Sequence, residues 1–380
     1  MTSTEIPTTD GVEEPTVEEP EVDDAAPSPT PQRPRLRRTS LPPWADVTVR
    51  WAVALAGAVV VFGLFIALRG EQPIDAMRAI WESAAGDTDA IGETFVRATP
   101  FLLGALAVVV PGRAGFFNIG GEGQLVMGAI GAMAASRMLD GAAPTAVTLV
   151  VMAAGGALLG GIWAGIPALL RIVFATNEAI TTLLMNYLAG LVLTWLVFEP
   201  WKDPQSLGQA YSEPLPDESR FGILWGNRVH LGVLVALVAV AAVWFALTRT
   251  RWGFRLRVLG GNPEAARRAG FRVGGLAVGA MLAGGALAGL GGMVELSGVE
   301  GRLRPEFLSG FGYTAFLASW LARHHPVKAV FTSILLAGIV VGGFGLKIAT
   351  GLSGGAVSVL TALVLLGVLG FAQSPGREGR

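Results

Sequence analysis

TRTRWGFRLRVLGGNPEAARRAGFR, residues 248–272, holds seven arginines (Arg249, Arg251, Arg255, Arg257, Arg267, Arg268 and Arg272) against one acid, Glu264. It lies between two long apolar runs. Loops so rich in Arg between hydrophobic spans stay on the cytoplasmic side, because carrying several guanidinium groups across a bilayer is disfavoured. The loop therefore sets the expected orientation of everything on either side of it. Within it, Asn262 is a good N-cap, Pro263 suits the first helical position, and Glu264 complements the positive start of a helix. A short helix from Pro263 to Ala269 is expected, with Ala265, Ala266 and Ala269 as a small-residue face flanked by Arg267 and Arg268. Such a face suits docking in another protein's groove. A purely topogenic loop capped by a surface helix fits the same residues.

Working outward, the 380 residues are 52% hydrophobic and 15% charged, a balance foreign to a single soluble domain and ordinary for a membrane chain. The 52 glycines suit helices that approach closely in lipid through small residues. With no Cys and three His, thiol chemistry is excluded and a metal centre is not expected. The net charge of -1 conceals a strong segregation, acids gathering in the first thirty residues and arginines in particular loops. Lysine is confined to Lys202, Lys328 and Lys347, which we read as codon bias of a GC-rich genome.

Residues 1–46, rich in acids and Pro, are expected to be a disordered cytoplasmic tail that ends in a basic cluster, Arg33 to Arg38. No short apolar core with a cleavage site follows that cluster at once, so it is not read as a signal peptide. From 47 to 373 an all-α polytopic membrane domain is expected, with ten spans near 48–68, 95–111, 118–137, 145–170, 178–198, 230–248, 273–296, 310–322, 326–346 and 352–372. The eighth is too short to cross without tilt or a break. This count puts Arg113, Arg171, the 249–272 loop, Arg323 with Lys328, and the 374–380 tail on the cytoplasmic side. The acidic connections 69–94 and 199–229 fall outside. Ten spans divided at 199–229 make five and five, and an odd number per half inverts one half relative to the other, a recurrent transporter plan.

Each half also has one Gly-rich, polar-interrupted region, AGFFNIGGEGQL at 114–125 and LAGLGGMVELSGVEGRL at 287–303. A carboxylate at a helix centre costs roughly 2.5–3.5 kcal/mol on insertion scales, so Glu122 is expected to face protein or water, with Asn118 and Gln124 beside it. The glycines around Glu122 permit a broken or re-entrant helix. The segment reads equally as a wall of a solute path and as a polar staple between helices. Asn177 is placed to cap the fifth span, Glu178 opens it, and Asn186 lies mid-span with Thr181 and Thr182 before it. Hydrogen bonding between helices and contact with a passing polar solute are both open to them. Glu295, Glu300, Arg302, Arg304 and Glu306 are placed in or near the outer connection, where a delivery protein would land. Phosphate-binding G-x-x-x-x-G-K-[ST] and zinc-binding H-E-x-x-H are both absent, and His324 with His325 have no Ser or Asp signature beside them. An embedded enzyme is not the expected reading.

RAGFFNIGGEGQL (113–125), TNEAITTLLMNYLA (176–189) and GGNPEAARRAGF (260–271), in this order, resemble the membrane subunit of bacterial ABC importers of the branched-chain amino acid and ribose permease superfamily. The nucleoside and simple-sugar permeases are most alike, and the likeness covers about residues 50–372. It implies a permease that is not itself an enzyme, working in the bacterial cell membrane with both termini in the cytoplasm. Its implied partners are a second permease, identical or paralogous, a separate ATPase subunit that binds ATP and Mg, an extracytoplasmic solute-binding protein, and lipid; no nucleic acid or cofactor is implied. By the same resemblance Asn262, Pro263, Glu264, Ala265, Ala266, Arg267 and Gly270 belong to the helix that couples to the ATPase. Asn118, Glu122, Gln124, Asn177, Glu178 and Asn186 match polar positions near the pathway. An ion-coupled secondary transporter, a branched-chain amino acid permease and a non-transporting scaffold stand as alternatives.

Overall fold

A computed structural model describes residues 43–372 apart from 207, 227, 308 and 352–354. The expected tails therefore lie almost wholly outside the described residues. In chain order the helices are α1 Pro43–Leu68, α2 Pro73–Ala85, α3 Thr88–Gly112, α4 Gly121–Leu139, α5 Thr145–Phe174, α6 Glu178–Phe198 and α7 Gly232–Arg249. There follow α8 Arg251–Gly261, α9 Pro263–Arg268, α10 Val273–Glu295, α11 Phe311–Leu321, α12 Pro326–Thr350 and α13 Gly355–Ala372. Every one of the ten expected stretches contains a helix, and seven helices among the described residues are long and apolar enough to cross a membrane: α1, α3, α5, α6, α7, α10 and α12.

The centre of the fold is α3. Each residue from Ala98 to Pro111 is buried, because α10, α12, α11, α7 and α2 pack around it. A helix shielded on all sides has no lipid face to keep apolar, so Pro100 and Pro111 sit inside it with neighbours at hand to compensate the lost backbone donors. Beside it α4, α5 and α10 close on one another through glycine. A Cβ on Gly156 would lie 3.1 Å from the carbonyl oxygens of both Gly128 on α4 and Gly289 on α10, so only a bare backbone permits the three-way approach.

Two irregular stretches interrupt the run of helices. After α3 the chain turns at Arg113–Gly115 and runs without helix or strand from Phe116 to Ile119 before α4 starts at Gly121. After α10 comes one π-helical turn, Leu296–Glu300, then an irregular stretch, and only at Phe311 does α11 begin. With 11 residues α11 is about 16 Å long, half a bilayer.

The molecule has a basic end, where Arg113 and Gly115 touch Gly260 of α8 and Arg113 donates to the carbonyl of His324. At the opposite end lies a two-stranded antiparallel hairpin, β1 Ile223–Trp225 with β2 Val229–His230, beside the π turn. The hairpin qualifies the expectation of an all-α chain. Other differences are additions: α2 occupies the connection expected to be loop, α8 fills the first half of the Arg-rich loop, and α3 starts at Thr88 rather than near 95.

Candidate functional site

The interrupted segment 116–124 is held by side chains from one face of α6. Glu178, Thr182 and Asn186 follow at four-residue spacing, one per turn. The backbone N–H of Phe117 donates to the Glu178 carboxylate (3.4 Å), that of Ile119 to the Thr182 hydroxyl (3.3 Å), and that of Gly123 to Asn186 Oδ1 (2.8 Å). Asn186 Nδ2 returns a bond to the Ile119 carbonyl at 3.0 Å. Irregular backbone inside a membrane domain has no helical partners, and this ladder supplies them. Below it Asn177 caps α6, accepting from the N–H groups of Ala179 (2.9 Å) and Ile180 (3.3 Å).

Asn118 and Gln124 form a second, internal link. Their amides bond reciprocally at 3.0 and 2.8 Å, while Asn118 also donates to the Ala107 carbonyl of α3 and accepts from Gly120 N–H. Both side chains are fully buried. Asn118 thus braces the turn before α4 instead of capping the helix itself, whose N-cap is Gly120.

Glu122, in the first turn of α4, reaches across to the start of the other half-length helix. Its two carboxylate oxygens accept from the backbone N–H of Gly310 at 2.5 Å and of Gly312 at 2.6 Å. The backbones themselves touch here, a Cβ on Gly121 meeting Gly312 at 3.5 Å. The carboxylate consequently sits where the N-terminal ends of α4 and α11 converge, and both dipoles favour its charge.

At the basic end Asn262 caps α9, accepting from Ala265 N–H at 3.0 Å with Pro263 at the first helical position. Glu264 bridges to Arg267 (2.7 Å) and Arg268 (3.1 Å) along the exposed flank. Asn262, Pro263, Ala265, Ala269 and Gly270 are exposed as well. Ala266 is the exception: fully buried, it points into its own chain as the anchor of the helix. The expected small-residue face is therefore corrected to Ala265 and Ala269, and a substitution at Ala266 would disturb the elbow's seat before it reached a partner.

Two further expectations change with the geometry. Glu295 closes α10 and is buried, so it is not a loop charge awaiting a delivery protein. Ser319 pairs with His324 Nδ1 at 2.9 Å, a Ser–His contact that spacing alone did not reveal. Sequence reasoning also passed over Arg171, which is in direct contact with Glu178 and stacks on the Phe116 ring at 4.3 Å.

A family model described as branched-chain amino acid transport system / permease component matches residues 90–370, all of α4 to α12 and nearly all of α3 and α13. The chain belongs to that permease family. Its relatives include the glucose ABC transporter permease protein TsgB13 of Haloferax volcanii, 34% identical over 87% of this chain and 88% of the relative. The guanosine ABC transporter permease protein NupP of Bacillus subtilis is 31% identical over 83% of this chain and 90% of its own length. The nucleoside ABC transporter permease protein NupB of Lactococcus lactis is 27% identical over 82% and 86%. As an ABC permease the chain is a multi-pass membrane protein and not an enzyme; ATP hydrolysis belongs to a separate subunit, and the family implies an ATPase and a solute-binding protein as partners.

Proposed function

We propose that this chain is the membrane-spanning subunit of an ATP-driven importer that moves a nucleoside or a simple sugar handed over by a solute-binding protein. The observation that carries the reading is α9: a capped, exposed helix, seated by one buried alanine, on the arginine-rich end of a chain whose relatives are named as glucose, guanosine and nucleoside ABC permeases. In this reading ten segments cross a bacterial cell membrane as two inverted sets of five, both termini lie in the cytoplasm, and a second permease, identical or paralogous, completes the pathway. The ATPase grips Asn262 to Gly270, and its movement reaches the pathway through α8 and α10, which α9 contacts directly. Asn118, Gln124, Glu178 and Asn186 shape the pathway wall by holding segment 116–124, Asn177 caps the helix that carries two of them, and Glu122 ties that wall to α11. An ion-coupled carrier needs an intramembrane carboxylate free to exchange protons, whereas both oxygens of Glu122 are held by backbone donors, which favours the ATP-driven reading.

The test is Ala265→Glu, which puts a charge on the exposed face and leaves Ala266 in place. The variant is expected to enter the membrane in normal amount, to lose copurification with the ATPase, and to lose uptake of uridine, guanosine or glucose in whichever case the parent carries it. Unchanged ATPase association and uptake refute the docking role; a parent importer that carries none of these solutes refutes the substrate class.

A further inference from the structure

Beneath the hairpin end a second polar cluster takes in Glu295 and lies apart from segment 116–124 and from α9. Arg97, on the third turn of α3 just before the buried stretch, faces two carboxylates. Its Nη1 is 3.8 Å from Glu295 Oε1 and its Nη2 is 4.0 Å from Glu93 Oε1. The guanidinium also lies over the Phe311 ring, 5.0 Å from its centroid, and Phe311 is the first residue of the half-length helix α11. Glu93 is balanced on its far side by Arg228 at 3.1 Å, and Glu300 by Arg304 at 2.7 Å. Glu295, with its side chain only 3% exposed, has Arg97 as its ion-pair partner and feels Arg228 more weakly, while Arg97 and Glu93 keep 19% and 23% exposure.

The contrast with the basic end is informative. There too an arginine, Arg171, sits over a phenylalanine of an interrupted segment, Phe116, and is matched to a buried glutamate, Glu178. That pair is in direct contact, whereas the Arg97 pairs stand apart by more than the 2.7–2.9 Å of about any charge-assisted hydrogen bond. A hydroxyl placed about 2.8 Å from both Nη1 and Glu295 Oε1 spans their separation with an angle of about 85° at its oxygen. A neighbouring hydroxyl fits the Nη2–Glu93 gap in the same way. Each hydroxyl would accept from the fork and donate to a carboxylate, matching the donor-only guanidinium and the acceptor-only carboxylate. The ring of Phe311 beneath seats the guanidinium and fixes where its fork points. The π turn that follows Glu295 directly is an irregularity frequent at functional sites.

We infer that Arg97, Glu295, Glu93 and Phe311 form a recognition station for two adjacent hydroxyls of a sugar ring, in a nucleoside or a free sugar. This rests on the proposed substrate class and adds to it the atoms that are read. The test uses the complete importer in proteoliposomes, with solute-binding protein saturated by each probe so that its own affinity cancels. Uridine is compared with 2′-deoxyuridine and glucose with 2-deoxyglucose; the pair that is carried identifies the source of the hydroxyls. The parent is expected to carry the diol-bearing probe at a higher maximal rate. In Glu295→Gln and in Arg97→Lys that rate falls roughly tenfold or more while the deoxy probe loses much less, so their ratio collapses towards one. Phe311→Leu lowers both members of the pair. If either charge variant preserves the parent's ratio, whether total uptake stays or drops for both probes alike, the cluster is only an ion network and the inference is overturned. It is overturned equally by a parent that carries both members of a pair at the same rate. A parent that carries neither pair, nor guanosine and 2′-deoxyguanosine compared in the same way, refutes the substrate class itself, and the station with it.

Discussion

Glu122→Ala tests the idea that the two irregular stretches are joined at one carboxylate. The substitution removes both acceptors, leaving the N–H groups of Gly310 and Gly312 pointing at a methyl group. Hydrogen bonds to charged groups contribute roughly 1.5–3 kcal/mol each in soluble proteins, which for two bonds gives about 3–6 kcal/mol. Within membrane domains the measured mean for polar contacts is nearer 0.6 kcal/mol, because the unfolded chain finds other partners. The lower figure describes side chains that re-pair. Gly310 and Gly312 open α11, where first-turn N–H groups have no intrahelical acceptor, so the loss is expected to exceed about 2 kcal/mol. Glu122→Gln keeps one acceptor oxygen and turns an NH₂ group towards the second donor, and it is expected to fall between Ala and the parent. The assay is reversible SDS unfolding of the purified permease, followed by the fluorescence of Trp320 on α11 against the other tryptophans replaced by Phe. An Ala variant that unfolds at the parent's SDS fraction would falsify the joint.

Four other outcomes follow from the geometry. Asn186→Leu breaks the bonds to Gly123 and Ile119, and hydrogen exchange at 117–123 is expected to accelerate by about tenfold or more, with unchanged protection near 150–160 on α5. Gly156→Leu forces α4, α5 and α10 apart and is expected to cost about 1–3 kcal/mol or more, read as loss of monodisperse protein on size exclusion; Gly57→Leu, with nothing within 4 Å of its Cβ, is expected to be silent. His230 Nδ1 accepts from Gly232 N–H at 3.1 Å, and burial, aided by Arg220 and Arg228, pushes its imidazole down to about 4. The unfolded chain then binds the extra proton first, so stability is full above about pH 6.5 and falls as pH drops towards 4, by at most about 3 kcal/mol; His230→Phe, stacked on Phe221, is expected to flatten that window in pH-dependent unfolding, and an unaltered acid slope counts against it.

What the sequence disclosed is what local chemistry decides. Asn262 and Asn177 cap their helices as their positions before Pro263 and Glu178 imply, and the glycines around Asn118 do mark a break. What stayed hidden depends on direction or on distance along the chain. Six residues of α9 hold too few apolar positions to tell which alanine faces inward, so Ala266 was read as surface. The 13 residues of α2 mix Ile74, Met77 and Ile80 with charges and read as connection, although the helix packs on α3 and α12. Arg97 was not singled out, because a span placed from 95 to 111 conceals the two further helical turns before it that carry Glu93. Pairing Glu122 with Gly310 and Gly312 brings the two halves of the chain together, and no local pattern encodes it.

The polar residues inside the membrane domain have a common physical cause. An interrupted helix exposes backbone donors that lipid cannot satisfy, so each break demands side-chain acceptors at a cost similar to that of burying them alone. Segment 116–124 receives Glu178, Thr182, Asn186 and the Asn118–Gln124 pair; the start of α11 receives Glu122. Two mutually satisfying irregularities are more stable than either by itself, and they are also the places where a small rigid shift changes many hydrogen bonds together. In the proposed coupling role, a force applied at α9 would meet the close glycine contacts along α10 and the seam at Glu122, the kind of packed and jointed arrangement on which alternating access would draw.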